Sequence, residues 1–305
     1  MQEKVSVIVL SYNSANYIIE TLESIINQSY SNIELIISDD CSTDNTIEVS
    51  KEYMRQSGFN NYKIIKTEKN SGTPANCNLA IKTSTSNYIK LIAADDLLLK
   101  DCIKNNVEFM KKNNNLIQFS KVKDFMDKDG ERVFLKRNYK INNKFNERSV
   151  KSHLKELLFH NYISAPTVFF NKKIFDNYGL FDEEYKFIED YPMWIKLLKN
   201  DVRINFIDQE TILYRVHFLS LTNSQDKVIN ERLLPDLNLL YKKEIKPYLK
   251  KNNNYLYLFH KEIENIVNNI ILKVGNKKGI KEKIIKMIFF IDPLWIKYKI
   301  KNLIS

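Results

Sequence analysis

Glycine is scarce, with six residues in 305. None stands in a G-x-G-x-x-G or G-x-x-x-x-G-K arrangement, so the dinucleotide fingerprint and the P-loop are both absent. A nucleotide bound here is therefore held without a glycine cradle. The three cysteines, Cys41, Cys77 and Cys102, are odd in number and follow no metal-ligand spacing. That argues against a disulfide framework and for a reducing, cytoplasmic setting. The four histidines are scattered and form no zinc motif. No apolar run approaches the roughly 18 residues a spanning helix needs. Glu3 and Lys4 lead straight into an apolar run, so no signal peptide is expected.

What is present is globular in character. Hydrophobic residues make up 44% of the chain, enough to bury a large core. The net charge of +10 is uneven. Residues 276–305 hold eight lysines against Glu282 and Asp292, a local balance of +6. Nucleic acid, an anionic membrane surface and plain solubility each fit such a tail.

The first 120 residues alternate strand and helix. Val5 to Leu10, Glu34 to Ser38, Tyr62 to Lys66, Tyr88 to Ile92 and Leu116 to Ser120 read as strands. Helical spacing lies between them, as at Ile18, Leu22, Ile25 and Ile26, with Asn16 or Ser14 available as a cap. Ser42 offers a cap to a helix beginning near Thr43, and Pro74 sits in the tolerated first turn of another. This alternation predicts an α/β fold with a mostly parallel central sheet. Residues 121–150, with Asp129-Gly130, read as a hairpin or excursion. Thr167 to Phe170 and Thr211 to Val216 read as strands, and Asp190 to Lys199 as a helix. From about residue 226 the pattern is helical. The expected division is a catalytic domain over 1–225 and a small helical C-terminal region over 226–305.

Two acidic pairs follow apolar strands, Asp39-Asp40 and Asp95-Asp96. A third pair, Glu189-Asp190, opens a helical pattern. Ligands of α/β sheets bind outside the carboxyl ends of the strands. Two acidic pairs there predict one acidic crevice, suited to a divalent cation and a phosphate-bearing ligand. Capping accounts for Ser42 and Asp44, but less well for Asp39 and Asp40, which precede the cap.

The chain resembles a family 2 glycosyltransferase of the GT-A nucleotide-sugar fold. The residues that carry the resemblance begin with Val5 to Asn13, Thr21 to Ile25, Gln28-Ser29-Tyr30 and Asp39 to Asp44. They continue through Asn70-Ser71-Gly72, Asn76 to Ala80, Tyr88, Asp95-Asp96, Glu189-Asp190 with Trp194, and Tyr214 to His217. They span about two-thirds of the chain and leave out the last 80 residues. The resemblance implies that Ser11, Tyr12, Asn13, Asp39, Asp40, Asn70, Gly72, Asn76, Asp95 and Arg215 hold the nucleotide. It implies Asp96 and His217 at Mn²⁺ or Mg²⁺, and Asp190 as general base with Glu189 as the fallback. Asn161 to Thr167 would shape the acceptor pocket.

Two departures from the family pattern bear on mechanism. Ala93 stands where many relatives carry a further acid, so the metal would lean on phosphate and water oxygens. The Q-x-x-R-W signature of processive synthases is missing, which implies one sugar per encounter. The expected activity is transfer from a UDP-hexose to a saccharide acceptor on a lipid diphosphate, in O-antigen or capsule synthesis. A nucleotidyltransferase shares acidic crevices but would need a glycine-rich basic loop near the N-terminus. A nucleic-acid-binding protein is suggested by charge alone, and an acidic crevice opposes it.

The tail supports the membrane among its three readings. Ile280, Ile284, Ile285, Ile288 and Ile291 fall roughly on one helical face, with Lys281, Lys283 and Lys286 elsewhere. Phe289, Phe290, Trp295 and Tyr298 add aromatics. Such a helix fits a bilayer interface. It predicts a peripheral protein on the inner face of a membrane. The competing expectation is a helix packed on the rest of the protein.

Overall fold

The computed structural model describes residues 2–137, 141, 143–217, 220 and 226–304, with backbone alone for 143, 298 and 301–304. The chain divides into two compact units, residues 1–217 and 218–305. The boundary expected at 225 falls on residues 221–225, which lie outside that description, as does the Tyr298 side chain.

The first unit opens with β1 (Val5–Ser11), α1 (Ile18–Ile26), β2 (Ile33–Asp39), α2 (Thr46–Ser57), β3 (Tyr62–Lys66), α3 (Thr73–Thr83) and β4 (Tyr88–Ala93). It continues with β5 (Leu97–Leu98), α4 (Cys102–Asn113), β6 (Ile117–Lys128), β7 (Glu131–Leu135) and α5 (Val150–Phe159). It ends with β8 (Phe169–Asn171), α6 (Lys173–Tyr178), α7 (Asp190–Lys199) and β9 (Asn205–Arg215). One sheet runs β3-β2-β1-β4-β8-β6-β9-β5, with β7 added to β6. β3, β2, β1 and β4 are parallel. β8 is antiparallel to both β4 and β6, which makes the sheet mixed. β1 and β2 are buried on both faces, as expected of parallel strands that read as unbroken apolar runs. Val5, Val7 and Val9 pack with Ile18, Leu22 and Ile25 of α1 in the main core.

Several elements differ from expectation for local reasons. The strand expected at Leu116 to Ser120 continues to Lys128 and folds back through Asp129-Gly130 as the β6–β7 hairpin. α2 begins at Thr46 and not near Thr43, because the Ser42 hydroxyl donates to Asp39 instead of capping. Neither Asn16 nor Ser14 caps α1 with its side chain; the Ser14 carbonyl accepts from the Tyr17 and Ile18 amides. α5 and α6 are short helices that the sequence pattern does not announce.

Glu34 on β2 staples this unit. It is 2% exposed and accepts from Ser6 Oγ at 2.6 Å, the Thr85 amide at 2.9 Å and Lys63 Nζ at 3.2 Å. Burial alone raises its carboxyl, but these donors outweigh burial and hold it down at about 2. A depressed folded-state value stabilises above the unfolded value and is lost as pH falls through the folded one. Glu34→Gln is expected to lower stability by about 2–3 kcal/mol at pH 7. In denaturant melts the gap from the parent should close as pH falls from about 4.5 to about 2.

The second unit is helical: α8 (Leu234–Leu240), a π turn over Tyr241–Ile245, α9 (Lys246–Lys251), α10 (Tyr255–Lys273) and α11 (Ile280–Lys286). A 3₁₀ turn over Met287–Ile291 and α12 (Pro293–Ile304) follow. No helix among the described residues is long and apolar enough to cross a membrane.

Candidate active site

Register brings the strand ends level. Ser11 pairs with Asp39, and Leu10 with Ala93. Beyond these ends lies a cavity of about 240 Å³. Its lining includes Ser11, Tyr12, Asp40, Asn76, Asp96, Glu189 and Asp190, seven residues anticipated for the site, and Thr73. Apolar groups from Ala165, Pro166, Phe170, Phe181, Trp194 and Tyr214 complete the wall. Asn13, Asp39, Asn70, Gly72, Asp95, Arg215 and His217 are not among the lining residues.

The two carboxylates after β2 organise loops. Asp39 is fully buried and accepts from the Ser42 amide at 2.8 Å and from Ser11 Oγ at 3.0 Å. Asn13 bridges the same two loops, its amide donating to Ser42 Oγ and its Oδ1 accepting from the Thr43 amide, both at 2.8 Å. This stitching leaves Tyr12 48% exposed at the edge of the cavity. Asp40 accepts from the Ser71 and Gly72 amides, each at 2.8 Å, and from Thr67 Oγ1 at 2.9 Å. It thereby fixes the turn that carries Asn70 and enters α3.

Helix α3 draws distant chain toward the site. Asn76 clasps β2, its Nδ2 donating to the Ser38 carbonyl at 3.0 Å and its Oδ1 accepting from Ser38 Oγ at 2.6 Å. Asn78 Oδ1 accepts from the Phe181 amide at 3.0 Å, and its Nδ2 donates to the Phe181 carbonyl at 2.9 Å. That clasp seats Phe181 in the cavity wall. Gly72 has φ +90°, and a Cβ there would stand 2.6 Å from the Lys186 carbonyl oxygen. The Thr73 amide donates to that same carbonyl at 3.0 Å. Glycine is thus required both by conformation and by space. Gly72→Ala is expected to cost about 1–3 kcal/mol and to displace the segment leading to Glu189. A lower melting temperature together with a lower kcat/KM checks this.

The pair at the start of α7 is half-buried and lines the cavity. Burial, and then the Asp190 charge beside it, push the Glu189 carboxyl up to about 8. Burial also raises Asp190, opposed by the Tyr191 amide and by Asn161. Asn161 Nδ2 donates to Asp190 Oδ2 at 3.0 Å and so fixes its orientation. Two neighbouring carboxyls raised this way do not both ionise at neutral pH.

At the end of β4, Asp96 is 1% exposed and its Oδ1 accepts from the Arg215 amide at 2.9 Å. Burial, then the neighbouring Asp95, raise it well above the usual carboxylate range. His217 Nε2 lies 2.9 Å from Asp95 Oδ2, and its ring packs on Tyr17 at 4.8 Å. The Arg215 guanidinium does not reach the cavity. Its Nε donates to the Asp95 carbonyl and its Nη2 to Glu20, each at 2.9 Å, and its Nη1 pairs with Asp127. It also lies over the Tyr17 and Phe125 rings. Arg215 therefore holds the Asp95-Asp96 turn. Among the described residues no group of three or more His, Cys, Asp or Glu is arranged as a metal cage. The chemistry of Asp96 still fits a divalent cation: a buried carboxylate beside a second one is relieved by a positive charge. Phosphate and water oxygens would complete the shell, as Mg²⁺ tolerates.

Sequence reasoning did not single out Thr73, Phe170, Phe181, Tyr17, Glu20 or Asp127. The polar Asn76 and Asn78 on one turn of a buried helix were the available signal for the Phe181 clasp.

A family model described as glycosyl transferase family 2 matches residues 6–177. The Escherichia coli protein WfaP, described as a UDP-Glc:alpha-D-GlcNAc-diphosphoundecaprenol beta-1,3-glucosyltransferase, is 27% identical over 229 residues, 74% of this chain and 82% of WfaP. The structure of Staphylococcus aureus TarS 1–349 in complex with UDP-GlcNAc superposes with a TM-score of 0.57 at 24% identity. The match covers 73% of this chain and 61% of that one. A Pyrobaculum calidifontis mannosyltransferase in complex with GDP-Man and Mn²⁺ gives 0.55 at 17% identity, covering 72% and 59%. The chain thus spans under two-thirds of both solved chains, and the shared architecture is the GT-A fold.

Proposed function

The chain belongs to glycosyltransferase family 2, and from that premise we propose an inverting, metal-dependent enzyme that adds a single sugar. It moves a hexose from a UDP-sugar to a saccharide on a lipid diphosphate at the inner face of a membrane, in O-antigen or capsule building. One observation carries the reading: a single cavity is lined both by the strand-end residues Ser11, Tyr12, Asp40 and Asp96 and by the half-buried Glu189–Asp190 pair. The name of the E. coli relative supports the UDP donor and the lipid-linked acceptor.

Each residue then has a task. Tyr12 offers a ring on which the base stacks. Asp96, with Asp95 beside it, would hold Mn²⁺ or Mg²⁺, which when bound supplies Lewis-acid stabilisation of the departing diphosphate. Glu189, raised to about 8, keeps its proton at neutral pH. Asp190, oriented by Asn161, takes the proton of the acceptor hydroxyl as it attacks the anomeric carbon. Direct attack with one base inverts that carbon.

A panel of nucleotide-sugars tests the proposal through Mn²⁺-dependent nucleotide release. UDP release in the presence of a saccharide–diphosphate–lipid acceptor is expected. Release of pyrophosphate from a nucleoside triphosphate and a sugar phosphate would instead identify a nucleotidyltransferase.

A further inference from the structure

The helical unit has a small core of its own. Ile263, Val267 and Ile271 of α10 form it, and Ile285, Ile288 and Phe289 pack against them. The five isoleucines of the tail therefore do not share one face. Ile285 and Ile288 turn inward, whereas Ile280, Ile284 and Ile291 are 77%, 60% and 63% exposed. Met287 at 58% and Phe290 at 60% join them. Ile280, Ile284 and Met287 are spaced by four and three residues, so they form one outward row along α11, and Phe290, three residues after Met287, continues it through the 3₁₀ turn. The inward row already satisfies packing within the unit, and the outward row is surplus to it.

Along the same helix lies an open depression of about 520 Å³ lined by Val228, Lys278, Gly279, Glu282, Lys283 and Lys286. It sets three lysines against one carboxylate, and Glu282 is paired with Lys286. An apolar row exposed on this scale is unusual for a surface that faces only water. A lysine-lined depression alone would suit any phosphate-bearing partner; the exposed apolar row beside it is what favours a bilayer. The combination matches the boundary of an anionic bilayer, where apolar side chains insert and lysine stems reach to the phosphates.

We propose that residues 278–291 form a docking surface for an anionic lipid bilayer. Lipid phosphates meet Lys278, Lys283 and Lys286, and Ile280, Ile284, Met287, Phe290 and Ile291 enter the acyl boundary. The proposal rests on the membrane reading above and narrows it to one surface.

The test is co-sedimentation of the full chain with vesicles of mixed phosphatidylglycerol and phosphatidylcholine, beside vesicles of phosphatidylcholine alone. The full chain should favour the anionic vesicles and let go as salt rises. Ile284→Asp with Met287→Asp should weaken binding at least tenfold. Lys283→Gln with Lys286→Gln should weaken it about fivefold per lysine at low salt. Both variants should keep the parent melting temperature and UDP affinity. Parental vesicle binding by Ile284→Asp with Met287→Asp would overturn the proposal, as would no binding by the full chain. Light scattering of a dimer that this variant dissolves would give the row to a second copy and equally overturn it. A full chain that transfers sugar to a soluble acceptor yet binds no vesicles would count against this surface assignment alone; vesicle binding by the full chain without any sugar transfer would count against the proposed reaction and for the surface.

Discussion

Asp96→Ala is expected to lower kcat/KM by about 10³-fold or more and to remove the dependence of UDP affinity on Mn²⁺. The buried carboxylate at the end of β4 is held by the Arg215 amide, and no protein group among the described residues replaces it in a metal cage. Its loss deprives the diphosphate of a charge that stabilises the departing group, an effect of several kcal/mol. Calorimetry of UDP with and without Mn²⁺ checks this. Metal-dependent affinity that survives in the variant would refute the assignment of Asp96.

Asp190→Asn should keep donor affinity and lower kcat by about 10²–10⁴-fold, the usual contribution of a positioned base. The amide preserves shape but cannot accept the proton usefully at neutral pH. Asn161→Ala gives a finer test. Its hydrogen bond favours the ionised aspartate, so removing it raises the Asp190 pKa further. The acidic limb of kcat/KM should then move to higher pH while UDP affinity stays put. Normal turnover by Asp190→Asn, with Glu189→Gln inactive, would shift the base by one residue.

The strands and their acidic ends were legible because parallel strands buried on both faces read as unbroken apolar runs. β1 and β2 are apolar over Val7 to Leu10 and Leu35 to Ile37, and acids placed after such runs stand out. What the acids do was less legible. Asp39, Asp40 and Asp95 fall at strand ends as expected, yet the partners that occupy Asp39 and Asp40 are backbone amides and hydroxyls, and Asp95 meets the ring of His217. Amides leave no trace in side-chain patterns. The resemblance implies Arg215 at the nucleotide, whereas the partners that the structure gives its side chain, Glu20 and Asp127, lie 195 and 88 residues away in sequence and leave no local pattern. The tail shows the same limit at helix scale. Isoleucines within one turn of each other look like one stripe until packing against α10 separates an inward row from an outward one.

One cavity is proposed to hold both the nucleotide-sugar and the proton-accepting pair, and a crystal structure of the full chain with UDP and Mn²⁺ puts this to the test. The uracil ring is expected against Tyr12, the diphosphate at Asp96, and the sugar-sized space beyond it bordered by Asp190 and Glu189. Nucleotide bound anywhere outside this cavity, with Asp96 and Asp190 left facing empty solvent, would contradict it.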